Sequence, residues 1–366
     1  MNSSSVDQPT EQPIQTQGVP GEAGEALTVD DFHGVYHTLL TEIREYLSRL
    51  GTPETVLVRL HQCLADVTKG GKLTRGLMPL EAGRRLLPSR LTPTQASDLA
   101  VIGWIIELIH AAYLIEDDIM DASIFRRKGL CRYLQPNIGM SAIADACMVR
   151  SCVRHLLRAR FEQHPQYLDM VHLLDTMSFH TDLGQLTDVH IAKTTFRAFH
   201  HFTPETYRFI ITNKTAYYTV YFPIVFTLFY LRLSTPKNMA HARDISLQLG
   251  VYFQITDDYL DVYGDPATTG KVGTDVHEKK CAWVITEALQ RCSSEERGLL
   301  EEAYSNGDVG QVKALFDGIG MQNVYADLAT ESYEGIVDTI AGIDESEGLV
   351  RGMFELYLSK IHGRDK

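Results

Sequence analysis

The chain carries one acidic pattern twice, "LIEDDIMD" at residues 114–121 and "QITDDYLD" at 254–261, each time inside an otherwise apolar run. On a helix, residues i and i+4 share a face and i+1 lies about 100° round, so Asp117, Asp118 and Asp121 cluster near one helix end, as do Asp257, Asp258 and Asp261 near another. Three carboxylates this close repel one another, and on a half-buried face they are costly unless a cation offsets them. Oxygen-only ligands at this density suit Mg²⁺, which usually keeps water or substrate phosphate in its shell. Two such clusters facing each other imply a diphosphate bound between them. The pair Asp30–Asp31, which has no third aspartate at the matching offset, reads instead as a solvated surface pair.

Basic residues follow both clusters. "FRRKG" places Arg126 and Arg127 just after the first, "NKTAYY" supplies Lys214, and "TGKVGTD" supplies Lys271 after the second. Upstream, "KGGKLTRG" offers Lys72 and Arg75 beside glycines that let backbone approach an anion. Guanidinium forks bind diphosphate oxygens bidentately and lysines act as mobile point charges, so these residues outline two anion sites, one metal-bridged and one purely basic.

Apolar residues recur at intervals of three and four, as in Leu99, Ile102, Ile106, Ile109 and Tyr113, and no convincing period-two run is present. Prolines such as Pro53, Pro93, Pro204 and Pro236 separate helical patterns, which predicts an all-α, single-domain helical bundle. The most apolar segment, residues 216–231, is too short to cross a bilayer and contains Pro223, so it reads as a buried helix and no membrane span is expected.

A formal charge of -13, with no concentrated Lys/Arg stretch, argues against a nucleic-acid partner. The 6 cysteines are scattered without a CxxC pair and read as reduced thiols. Residues 1–26 are rich in Ser, Gln, Pro and Gly, lack Lys and Arg, and read as a disordered tail ahead of a domain spanning 27–366; with neither a presequence nor a signal-peptide pattern, the cytosol is the expected address.

The segments "GGKLTRG", "DDIMDASIFRR", "GQLTD", "NKTAYYTVYFP", "FQITDDYLDVYGDPATTGKVGTD" and "KKCAW" resemble, in order and spacing, those of the trans-prenyl diphosphate synthase family, closest to its farnesyl diphosphate synthases. The resemblance runs from about residue 50 onward and implies a bundle around a deep central cavity, usually as a homodimer. It implies that Asp117, Asp121 and Asp257 are the main ligands of about three Mg²⁺, with Asp118, Asp258 and Asp261 ligating or supporting them. It assigns Arg126, Lys214 and Lys271 to an allylic diphosphate, and Lys72, Arg75, Arg127 and His110 to isopentenyl diphosphate. Thr215 and Gln254 would stabilise a carbocation.

Ala112 and Tyr113 stand where a growing prenyl tail would end, with Tyr113 as the stop whose removal is expected to lengthen the product. Farnesyl diphosphate is the expected product and geranyl diphosphate the alternative. A terpene synthase derived from the family would discard Lys72, Arg75 and Arg127, and a non-catalytic regulatory subunit would typically lose one aspartate motif; this chain keeps both sets. It departs from the family at His110, where Gln is usual, at Lys128, Gly129 and Arg132, and in its C-terminal "KIHGRDK".

Overall fold

The computed structural model describes residues 29–127, 129–194, 199–265 and 273–363. The 1–26 tail, Lys271 and the last three residues lie outside them. Apart from one short hairpin and a few single turns, the ordered segments are helical: α1 (Val29–Arg49), α2 (Glu54–Thr68), α3 (Thr74–Leu86) and α4 (Pro93–Met120), then β1 (Phe125–Arg126) and β2 (Gly129–Leu130), then α5 (Ala142–Phe161), α6 (Tyr167–Thr194) and α7 (Pro204–Ile211). A π-helical segment, Thr212–Tyr221, runs into α8 (Phe222–Leu231) and is followed by α9 (Pro236–Tyr263). The chain ends in α10 (Asp275–Glu278), α11 (Trp283–Arg291), α12 (Ser294–Asn306), α13 (Val309–Ile319), α14 (Met321–Ala341) and α15 (Arg351–His362).

The prolines act as helix starts. Thr92, Thr203 and Thr235 each accept a backbone N–H at the head of α4, α7 and α9, with Pro93, Pro204 and Pro236 directly after them. The threonine hydroxyl satisfies an orphan donor, and the proline occupies a position that needs none. The hairpin was not foreseen: Phe125 pairs with Leu130 and Arg126 with Gly129, in strands too short for any alternation to register.

One hydrophobic core extends from Phe32 in α1 to Ile361 in α15. At its centre lies α4, in which every residue from Leu99 to Ala112 is buried, so the apolar stripe read from the sequence is one side of a helix enclosed all round. By length and hydropathy α4 is apolar enough to cross a membrane, but its apolar surface is covered by the surrounding bundle. The 216–231 run divides between the π-helical segment and α8 and is largely buried, as expected. All six cysteines are free.

The π-helical segment packs chiefly against α9 and α6, and two glycines permit that approach. A Cβ added at Gly184 of α6 would stand 2.2 Å from the Lys214 nitrogen, and one at Gly250 of α9 would stand 2.5 Å from Ala216 Cα. Backbone cannot yield as a flexible side chain can, so an added methyl must displace the whole segment. Gly184→Ala and Gly250→Ala are each expected to lower stability by about 1–3 kcal/mol, the usual cost of overpacking, a loss that thermal unfolding would register.

Candidate active site

The first aspartate trio lies at the C-terminal end of α4, where the helix dipole is already negative and no basic residue of that helix's last turn offsets it. The compensating cations come from distant segments. Lys280, just beyond α10, donates to both carboxylate oxygens of Asp121 at 2.7 Å and to Asp188 Oδ2 on α6 at 3.1 Å. Lys214, on the π-helical segment, donates to Asp188 Oδ2 at 2.6 Å and to Asp117 Oδ1 at 3.3 Å. Gln185, three residues before Asp188, completes the cluster by donating to Asp117 Oδ1 at 3.0 Å.

Three carboxylates and two ammonium groups thus share one part-buried network. Burial pushes the Asp117 carboxyl up, but Lys214, Lys280 and Arg126 outweigh it and hold the group below its ordinary range. Asp188 follows the same pattern, with Lys214 and Lys280 overcoming burial. For Asp121, burial and the nearby Asp117 win, and its pKa rises. Lys214 is held well above its usual value, against burial, by Asp188, Asp117 and Asp121.

The middle aspartate of each trio faces the protein, which suits the supporting one of the two roles, ligating or supporting, that the resemblance implies for it. Asp118 is buried, and its Oδ1 accepts from Arg126 Nε at 2.8 Å and Nη2 at 2.5 Å. Asp258 is buried as well: its Oδ1 accepts from Gln254 at 2.7 Å, and its Oδ2 from Tyr207 Oη at 2.7 Å and the Trp283 N–H at 2.8 Å. Burial pushes Asp258 up to about 7 despite those bonds. The physical reason is that a residue 100° round the helix from the exposed line points between neighbouring helices, where each lone pair needs a protein donor.

The second trio joins the same network through adjacent residues. Thr215 follows Lys214, and its hydroxyl donates to Gln254 Oε1 at 2.9 Å, whose amide in turn bonds Asp258. Asp257 lies on the partly exposed side of α9, and Asp261 Oδ2 accepts the Asp275 N–H at 2.9 Å.

The basic end is assembled beside this network. Arg75 donates to Thr219 Oγ1 at 2.9 Å and Tyr218 Oη at 3.2 Å, and lies over the rings of Tyr218 and Phe253. Arg127 passes over Gly71, where an added Cβ would stand 2.8 Å from its Nη1, and donates to the Val67 carbonyl at 3.1 Å. Lys72 is exposed. His110 is buried and stacks on Tyr218 at 5.6 Å, and its Nδ1 has no hydrogen-bond partner among the described residues. Burial, then Arg75 and Arg127, lowers its pKa well below the ordinary value, so the ring is neutral. Arg126 is engaged by Asp118 and reaches Asp117 at 3.5 Å.

Reading single motifs missed Gln185, Asp188, Lys280, Tyr207 and Tyr218. The segments "GQLTD" and "KKCAW" contain the first three. A glutamine and an aspartate three residues apart inside a helix, with one more lysine downstream, was the available signal. The departure at Arg132 is structural: its Nε donates to Asp145 Oδ2 at 2.9 Å and its Nη1 lies 3.8 Å from Asp66, tying the hairpin to α5 and α2.

Among the described residues no three carboxylate, imidazole or thiolate side chains already converge as a metal cage. The donor set nevertheless fits a hard divalent cation, because Asp117 and Asp121 present only oxygen and cationic side chains, Lys214 and Lys280, already sit against them.

Comparison with known proteins agrees with this geometry. Residues 58–319 match the family model described as polyprenyl synthetase. The chain is 37% identical over 338 residues to farnesyl pyrophosphate synthase of Schizosaccharomyces pombe, covering 92% of this chain and 97% of that one. It is 38% identical to farnesyl pyrophosphate synthase vrtD of Penicillium aethiopicum, covering 93% and 98%. A T. brucei farnesyl diphosphate synthase complexed with bisphosphonate superposes with a TM-score of 0.86 at 28% identity, covering 92% of this chain and 99% of that one. Fold and site together define an isoprenoid synthase of the all-helical type. The chain belongs to the polyprenyl synthetase family and is a prenyltransferase.

Asp188 is the buried, shared anion of the half-buried Lys214 and the buried Lys280, and its loss leaves both undercompensated. Asp188→Asn is expected to destabilise the fold by about 3 kcal/mol, as for a broken buried ion pair. A carboxylate whose folded pKa is lowered stabilises the native state above its unfolded value, near 4, and that contribution is lost as pH falls. The variant should therefore lose less stability than the parent on acidification, which denaturant unfolding across that range would show.

Proposed function

We propose that the chain is a Mg²⁺-dependent short-chain trans-prenyl diphosphate synthase that condenses isopentenyl diphosphate with dimethylallyl or geranyl diphosphate, giving farnesyl diphosphate. The observation that carries this reading is the joining of two acidic helix ends through Lys214 and Thr215, beside a separate basic pocket holding Arg75, Arg127 and His110.

Asp117, Asp121 and Asp257 would hold Mg²⁺, with Asp261 in support and about three ions per site. When bound, the metal neutralises diphosphate charge as the allylic C–O bond ionises. Lys214, Arg126 and Lys271 hold that diphosphate; Asp118 orients Arg126, and Asp258 orients Gln254. Lys72, Arg75, Arg127 and neutral His110 hold isopentenyl diphosphate with its double bond toward the cation. The hydroxyl of Thr215 and the amide oxygen of Gln254 direct their dipoles at the allylic cation. The C–O bond breaks to leave that cation, the double bond of isopentenyl diphosphate attacks it to form the C–C bond, and the departing diphosphate takes the surplus proton. Tyr218 and Phe253 supply aromatic walls against water.

Incubation with Mg²⁺, isopentenyl diphosphate and dimethylallyl diphosphate, followed by dephosphorylation, is expected to yield farnesol, and a chelator should abolish it. Asp117→Ala should lower kcat/KM about a thousandfold, the several kcal/mol that a charge-stabilising group contributes. A hydrocarbon formed from farnesyl diphosphate alone would identify a terpene synthase, no turnover by the purified chain a regulatory subunit, and a C10 alcohol a geranyl diphosphate synthase.

We also infer a homodimer. α5 and α6 expose Ile143 (48%), Phe179 (69%) and Leu186 (67%), and an apolar face of this kind suits a second copy. Light scattering should give twice the chain mass, falling to the single-chain mass for Phe179→Arg with Leu186→Arg.

A further inference from the structure

Tyr113 was expected to be the stop for the growing prenyl tail, and the structure packs an ion-paired guanidinium against its ring, so the space its side chain fills is bordered by charge. Five aromatic or cationic groups form one contact chain beside α4. Arg75 lies 4.8 Å from the Tyr218 ring centre, His110 stacks on the same ring at 5.6 Å, Tyr113 meets it at 6.0 Å, and the Arg150 guanidinium lies 4.7 Å from the Tyr113 ring centre. Arg150 comes from α5 and is paired with Glu116 of α4, and lies 3.5 Å from Asp182 of α6. Its Nε is buried without an acceptor among the described residues, so Glu116, Asp182 and the face of Tyr113 fix the group. Ala112, the other expected length-setting position, is fully buried in the core.

We propose that Arg150, ion-paired with Glu116, is a second, electrostatic barrier that caps the length of the prenyl product. It presupposes the chain elongation proposed above. A tyrosine blocks a hydrocarbon by volume alone, and removing it opens apolar space. A tail entering that space next meets a guanidinium and a carboxylate, and it can advance only by separating or displacing them with no polar contact in return. The two barriers differ in kind, so deleting the first does not delete the second. Arg150 and Glu116 touch neither diphosphate site, and their effect is confined to how far the tail extends.

The test compares products from isopentenyl and dimethylallyl diphosphate with Mg²⁺ for the parent, Tyr113→Ala, and Tyr113→Ala combined with Glu116→Gln and Arg150→Met, which removes both charges together. The major product is expected to move from C15 to C20 in the single variant and beyond C20 in the triple variant. If the triple variant does not fold, Tyr113→Ala with Arg150→Gln is judged by the same criterion. An identical product distribution with and without the Arg150 change overturns the charged barrier, as does a single variant that already extends well past C20. No condensation by the parent overturns the synthase reading instead.

Discussion

The site depends on negative charge gathered at a helix end that cannot hold it unaided. Asp117 and Asp121 lie where the α4 dipole is negative, and the last turns of both α4 and α9 lack a basic side chain. Their stability in a partly buried setting comes from Lys214, Lys280 and the shared anion Asp188, supplied by three other segments. The charge network therefore does two jobs. It fixes the relative positions of α4, α6, the π-helical segment and the loop after α10, and it gathers carboxylate oxygens against cationic side chains.

The π-helical segment is the link between the two acidic helix ends. Its wider turn is uncommon and is found mostly at functional sites. Here it places Lys214 toward the first trio and the neighbouring Thr215 toward the second, a divergence that requires close packing on both sides. Gly184 and Gly250 supply that packing from α6 and α9. The same contacts that bury the segment also fix the angle between its two functional side chains, so stability and site geometry are not separable there.

Much of this was legible from residue order. Spacing alone put Asp117 with Asp121, and the Thr-Pro starts of α4, α7 and α9 followed from local hydrogen-bonding needs. What spacing could not tell was which side of a helix its neighbours would cover. Asp118 and Asp258 have the same sequence context as their partly exposed companions, yet Arg126, Tyr207 and the Trp283 N–H fill the positions around them. Asp188 and Lys280 were hidden for a related reason, since a charge pair separated by 92 residues leaves no periodic trace. The two-residue strands and the π-helical turn fell below what periodicity resolves.

The departures from the family's residue pattern separate into two physical kinds. Arg132 is an added charge matched inside the protein: Asp145 and Asp66 receive it, and its effect ends at the seam between the hairpin, α5 and α2. His110 is different, because its Nδ1 is buried without a partner among the described residues while burial, then Arg75 and Arg127, keeps the ring neutral. A buried polar atom left unsatisfied costs stability and is retained only where something else bonds it for part of the time. Its place beside the two arginines makes an anionic ligand that brings its own proton or water the natural partner. On the function proposed above, the substitution bears on how the basic pocket grips isopentenyl diphosphate and not on the acidic helix ends, where the allylic bond would break.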